Sequence, residues 1–192
     1  PETAFDVIEK ALGDWQNPAQ IQLAQLPELI APTRLQREHI ELPEKSQIDL
    51  TLGMLGPKRK SPDYLAASLG NNVLGQFGMM GRIGEVVREK AGLAYDASTS
   101  LNAWIDGGSW EVSAGVNPVN LQKAIDLIIK ELKHFIEEPV TAEELGDSQA
   151  NYIGRLPLSL ESNAGVANSI LNLERFDLGL DYFQRYAQTI QA

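Results

Sequence analysis

The chain has 192 residues, 43% of them hydrophobic, enough for one full core with an appendage and hardly enough for two. Sixteen Lys and Arg against 26 Asp and Glu leave a formal net charge of −10, which argues against nucleic acid and membrane surfaces as partners. The absence of Cys excludes disulfides, thiolate catalysis, iron–sulfur clusters and Cys-held zinc, and no apolar run reaches the ~18 residues of a spanning helix.

The first residues already have helical character: Pro1 and Glu2 suit a helix start, and Phe5, Val7, Ile8, Leu12 and Trp15 crowd one face. Neither the basic end nor the apolar stretch of a secretion signal is present. The chain reads as soluble; its compartment is left open, with bacterial cytoplasm and periplasm as the candidates. Residues 16–33, with Pro18, Pro27 and Pro32 and no sustained period, have the composition of a semi-extended linker. Residues 35–42 and 47–55 then suggest two strands paired through a turn at Pro43-Glu44-Lys45-Ser46, because Ile48, Leu50, Leu52 and Met54 alternate with Asp49, Thr51 and Gly53. A short basic loop, Lys58-Arg59-Lys60, leads to Ser61-Pro62-Asp63, the start signal of a helix over 62–74.

The glycine-bearing stretch Gly75 to Gly81 interrupts that helix, and a second one follows to Gly92, a candidate left-handed cap. A strand over 95–104 turns at Asp106-Gly107-Gly108 into Trp110, Val112, Ala114 and Val116, which predicts a hairpin. Beyond it the period is helical: Leu121 to Ile136, a helix opened by the capping box of Thr141 and Glu144 and kinked or broken by Pro157, another over 163–176, and a last one from Asp181. Both ends of the chain read as cut. Strands separated by helical pairs predict an α+β two-layer sandwich, a mostly antiparallel sheet covered by helices on one face.

Little of the sequence suggests metal chemistry. His39 and His134 share no metal-ligand spacing, and each suits a surface role. Gly75 to Gly81 joins two helices and is followed by no Lys-Ser or Lys-Thr, so it makes a poor phosphate loop and a better helix–helix turn, or a backbone surface that a ligand can approach closely. The sharper constellation is Arg88 in the last turn of a helix and Tyr95 at the start of the next strand, joined through Gly92. A forked cation and a directional hydroxyl at one rim suit a peptide carbonyl or a developing oxyanion. The competing structural reading pairs Arg88 with Glu85 or Glu89 and packs Tyr95 as an amphipathic strand residue.

Arg88-Glu89-Lys90-Ala91-Gly92-Leu93-Ala94-Tyr95, preceded by the Gly loop and Arg82-Ile83, resembles the Arg-Glu-Lys-x-Gly-Leu-Ala-Tyr motif of the pitrilysin family of zinc metallopeptidases, insulinase-like and mitochondrial-processing-peptidase-like. Gly13-Asp14-Trp15, the run from Asp63-Tyr64 to Leu74-Gly75, and Val140-Thr141-Ala142-Glu143-Glu144-Leu145 resemble the family's flanking segments. The resemblance implies the LuxS/processing-peptidase-like metallohydrolase fold, here as the C-terminal non-zinc domain of a clamshell endopeptidase. In the family a zinc-bearing domain or subunit carries a His-x-x-Glu-His motif, which is absent from all 192 residues, so zinc is expected in the intact enzyme and none in this chain. The matching positions assign Arg88 and Tyr95 to substrate backbone and oxyanion stabilisation. They leave Gly78, Met79, Met80, Gly81 and Arg82 as substrate-binding candidates.

Residues 1–33 then read as the last helix of a preceding domain plus linker, and 34–192 as the substrate-positioning domain, truncated at its C-terminus. The expected partners are an unfolded peptide substrate, the zinc-bearing domain or subunit, and further copies of the chain by self-association. The alternative is a non-catalytic structural subunit of the same family.

Overall fold

The computed structural model describes residues 2–18, 26–77 and 81–192. Helix α1 (Glu2–Leu12) stands apart from the rest and buries none of its residues. It ends three residues short of Trp15, where the Gly13 N–H closes on the Glu9 carbonyl at 2.7 Å.

Residues 35–42 form no strand and are exposed throughout, which corrects the predicted pairing with 47–55. The alternation there puts Leu35, Arg37, His39 and Glu41 on one face and Gln36, Glu38, Ile40 and Leu42 on the other. Charges fall on both faces, so neither offers a continuous apolar row to bury. Strand β1 (Ile48–Leu55) instead lies antiparallel to β3 (Gly108–Val116), which also pairs with β2 (Ala94–Ala103). The sheet order is β1-β3-β2, with Leu50 opposite Ala114 and Thr99 opposite Val112.

Period-2 alternation sorts the two faces of this sheet. Ala97, Thr99, Val112, Ala114 and Val116 are buried, and Leu50 and Leu52 pack beside them, whereas Asp49, Thr51 and Gly53 of β1 point to solvent. Helices cover the apolar face: α2 (Tyr64–Gly75), α3 (Gly81–Gly84) with its π-helical continuation Glu85–Lys90, and α4 (Leu121–Glu137). Leu74, Ile83, Val87, Ala124 and Ile128 meet the strands in one core cluster. This is the expected α+β two-layer arrangement.

Polar contacts fix the layers against each other. Asn71 of α2 accepts from the Trp110 indole at 2.8 Å, and Trp110 meets Phe135 of α4 edge-to-face with centroids 6.4 Å apart. Helix α5 (Ala142–Ser159) docks on α2 through Ser148, which donates to the Leu69 carbonyl and accepts from Asn72, both at 3.1 Å. The capping box is formed, with the Glu144 N–H donating to Thr141 Oγ1 at 3.2 Å and the Thr141 N–H donating to Glu144 Oε2 at 2.8 Å. Pro157 sits in the last turn and the helix ends two residues beyond it. Helices α6 (Asn163–Arg175) and α7 (Tyr182–Gln191) complete the chain; the Gln149 amide of α5 donates to the Ile190 carbonyl of α7 at 2.8 Å.

Candidate functional site

The motif Arg82 to Tyr95 folds as helix, reversal and strand. After α3 the hydrogen bonding widens to a π-helix over Glu85–Lys90, a form that often marks functional segments. It buries Val87 fully and, past its cap at Ala91, gives way to Gly92, whose φ of +63° is open to glycine and costly for a side chain. The reversal is held by Gly92 N–H to the Arg88 carbonyl at 3.0 Å and Leu93 N–H to the Val87 carbonyl at 2.9 Å.

Strand β2 then opens with a bulge. Ala94 faces Val116 and Ala97 faces Ala114, so β2 takes three steps where β3 takes two, and the extra residue falls at Tyr95-Asp96. Strict alternation would put Tyr95 on the face of Ala97 and Thr99, which are 0% and 3% exposed. The bulge turns it out instead, leaving Tyr95 86% exposed. The Arg88 guanidinium carbon lies 5.8 Å from the centre of the Tyr95 ring, a cation–π contact, while Arg88 Nε sits 3.4 Å from Glu89 Oε1. The Tyr95 hydroxyl makes no hydrogen bond among the described residues.

Arg82 has a different environment. Its Nε and Nη2 donate to the two carboxylate oxygens of Glu144 at 2.6 and 2.7 Å, and its side chain is 14% exposed. Glu131 lies 3.9 Å away, and the Phe135 ring centre 5.8 Å from the guanidinium carbon. The guanidinium, aided by the Thr141 cap, pulls the Glu144 carboxyl down to about 2, and Glu144 raises Arg82 in turn; burial pushes the Glu131 carboxyl up. Gly81 and Arg82 border an open cleft of about 390 Å³ whose other walls include Phe77, Glu85, Glu89 and Asp147. Arg88 and Tyr95 do not line that cleft, although Glu89 touches both it and Arg88. Gly78, Met79 and Met80 lie outside the described residues.

The described residues do not suit a zinc ion: no group of three or more His, Cys, Asp or Glu is placed to hold a metal. His39 is exposed, and His134 Nδ1 lies 3.4 Å from Glu138 on its own helix. Two features escaped the sequence reading. Glu144 was visible only as half of a capping box, because its bond to Arg82 spans 62 positions. The bulge left no local signal, since Ala94-Tyr95-Asp96-Ala97 contains neither Gly nor Pro.

Comparison with known proteins agrees with this architecture. A protein of Streptomyces coelicolor named as an uncharacterized zinc protease is 32% identical over 124 residues, covering 65% of this chain and 27% of that protein. Another so named, from Bacillus subtilis, is 28% identical over 155 residues, 81% of this chain and 36% of its own. The chain thus spans about a third of the length of these relatives. The crystal structure of a peptidase M16 inactive domain from Pseudomonas fluorescens superposes with a TM-score of 0.80 at 28% identity, covering 91% of this chain and 41% of that one. The periplasmic protease PqqL from Escherichia coli shares the fold, with a TM-score of 0.76 at 18% identity over 99% of this chain and 21% of its own. The sequence model described as Peptidase M16 inactive domain matches residues 1–152, and with that match the chain belongs to the family of inactive domains of M16 peptidases.

Proposed function

We propose that the chain is the substrate-positioning part of a zinc endopeptidase, with Arg88 and Tyr95 as donors to the backbone or the tetrahedral oxyanion of a bound peptide. The observation that carries this reading is the bulge at Tyr95: it breaks a ladder to expose a phenol that alternation would have buried, and leaves its hydroxyl beside a guanidinium and without a hydrogen-bond partner among the described residues. Arg88 brings permanent charge and forked donors, and Tyr95 a directional hydroxyl, which together suit an oxygen that gains negative charge as it reacts. The zinc belongs to another domain or subunit, since the described residues do not fit it and the sequence carries no His-x-x-Glu-His. The names of the relatives support a peptide as substrate. In this reading residues 1–33 close the preceding domain and link it to residues 34–192, and Gly78, Met79, Met80, Gly81 and Arg82 remain substrate-binding candidates, of which Gly81 and Arg82 border the cleft.

The alternative, a non-catalytic structural subunit, has one observation in its favour, the 3.4 Å approach of Arg88 to Glu89. The two readings separate by mutation in the full-length protein. Arg88→Ala or Tyr95→Phe should lower kcat about a hundredfold on a peptide substrate, the loss expected for one oxyanion donor of ~3 kcal/mol, with an unchanged melting temperature. Unchanged turnover with a destabilised fold would refute the proposal and assign both residues to structure.

A further inference from the structure

A second pocket, of about 330 Å³, lies between the loop into α2 and the connection from α6 to α7 and shares no residue with the acidic cleft. Its chemistry is the reverse of that cleft. Arg59 stands at its centre with its guanidinium carbon 4.1 Å from the Tyr64 ring centre, 5.5 Å from that of Phe176 and 5.9 Å from that of Tyr182. Its Nη2 donates to the Tyr182 hydroxyl at 3.3 Å, and its backbone N–H holds the Trp104 carbonyl at 2.9 Å. The other cations of the pocket are neutralised: Lys60 pairs with Asp177 at 3.3 Å and Arg185 with Asp181 at 3.2 Å. Among the described residues no carboxylate pairs with Arg59, although the chain carries a net charge of −10.

A guanidinium stacked on a ring has its face occupied; one Nη2 N–H of Arg59 serves the Tyr182 hydroxyl, and the N–H groups that remain on its edge match two oxygens of one oxyanion. We propose that this pocket binds a carboxylate bearing an apolar group, the chemistry of a peptide's C-terminal residue. Two oxygens of the carboxylate take the Arg59 fork, and the apolar group lies against Phe176 and Leu65. A single negative charge balances Arg59, the cation of this pocket that pairs with no carboxylate among the described residues. A doubly charged phosphate would bring excess negative charge beside Asp177. The proposal goes beyond the Arg88–Tyr95 reading and does not depend on it.

The test is titration calorimetry of the full-length protein and of Arg59→Gln with three probes: N-acetyl-phenylalanine, its C-terminal amide and inorganic phosphate. We expect the acid to bind with a Kd on the order of 1 mM, the amide and the variant to bind at least about tenfold more weakly, and phosphate to bind no better than the amide. Equal affinity for acid and amide, undiminished binding by Arg59→Gln, or phosphate binding more tightly than the acid would each overturn it. Should Arg59→Gln fail to fold, the comparison of acid with amide on the unmutated protein decides alone.

Discussion

Arg82 and Glu144 offer the most demanding test of how this domain is held together, because one carboxylate serves two partners. Glu144 accepts two N–H groups of Arg82, at 2.6 and 2.7 Å, and also the Thr141 N–H at 2.8 Å, so it locks the start of α5 to α3. With side chains 14% and 29% exposed, the pair lies between a surface ion pair, worth about 0–1 kcal/mol, and a buried one, whose disruption costs about 3–5 kcal/mol. The fall of the Glu144 carboxyl from its ordinary 4.5 to about 2 sets an upper bound of ~3 kcal/mol on the preference for its charged form, and solvent reaching the carboxylate screens this to about 1–2 kcal/mol. Glu144→Gln, which keeps an oxygen for the cap, should therefore cost about 1–2 kcal/mol. Glu144→Ala also loses the side-chain half of the capping box and strands a desolvated guanidinium, and should cost about 3 kcal/mol. Urea denaturation followed by circular dichroism measures both. A double-mutant cycle with Arg82→Met should return a coupling of about 1–2 kcal/mol. A coupling under about 0.5 kcal/mol would show that the geometry carries no energy and refute the reasoning.

Three further outcomes follow from single features. Glu144 has a folded-state value below its unfolded one, so its contribution is present above about pH 4.5 and is lost as the pH falls toward 2; the stability difference between the unmutated protein and Glu144→Gln should shrink over that window, and a constant difference would contradict it. A Cβ at Gly75 would lie 2.3 Å from Thr99 Oγ1 and 2.5 Å from the Thr99 backbone nitrogen, whereas one at Gly146 inside α5 meets nothing within 4 Å. Gly75→Ala should thus destabilise by about 1–3 kcal/mol and Gly146→Ala stabilise by about 0.5–1 kcal/mol, and thermal melts showing the same sign for both would refute this contrast. Light scattering should find the chain self-associated through α1, whose Phe5 is 74% exposed and Leu12 61%, and monomeric without residues 1–16; a monomer in both cases would refute it.

The elements with a strong period were legible in the sequence, and the reason is local. Thr141 and Glu144 announce α5 within four residues, and the alternation through Trp110, Val112, Ala114 and Val116 needs only its own strand. Pairing was less legible. The turn at Pro43 suggested that β1 would find a strand beside it in sequence, yet its partner β3 lies some sixty positions on, at the register Ile48 opposite Val116. Proximity in sequence favours hairpins, but an apolar face decides which segment joins the sheet, and residues 35–42 have none. Within the motif, the spacing of Arg88, Gly92 and Tyr95 indicated a reversal. How far the phenol stands from the core depended on a bulge that only the pairing with β3 defines.

The two arginines of the motif show how one short segment divides structure from availability. Arg82 lies where α3 faces α4 and α5, and there the Phe135 ring meets its guanidinium and the Glu144 carboxylate takes its forked donors. Six residues on, Arg88 lies in the wider π-helical turn beside the Gly92 reversal. Among the described residues no carboxylate from across the fold reaches it; its acidic neighbour is the adjacent Glu89, and it leans on a ring that is itself exposed. A long-range bidentate pair fixes a guanidinium in place, whereas a contact with the next residue along the helix competes poorly with a peptide carbonyl or a developing oxyanion. Arg82 anchors the segment from which Arg88 projects, so under the proposed reading a loss of the Glu144 pair should weaken both stability and the positioning of Arg88 and Tyr95, while a loss of Arg88 itself should leave the fold intact.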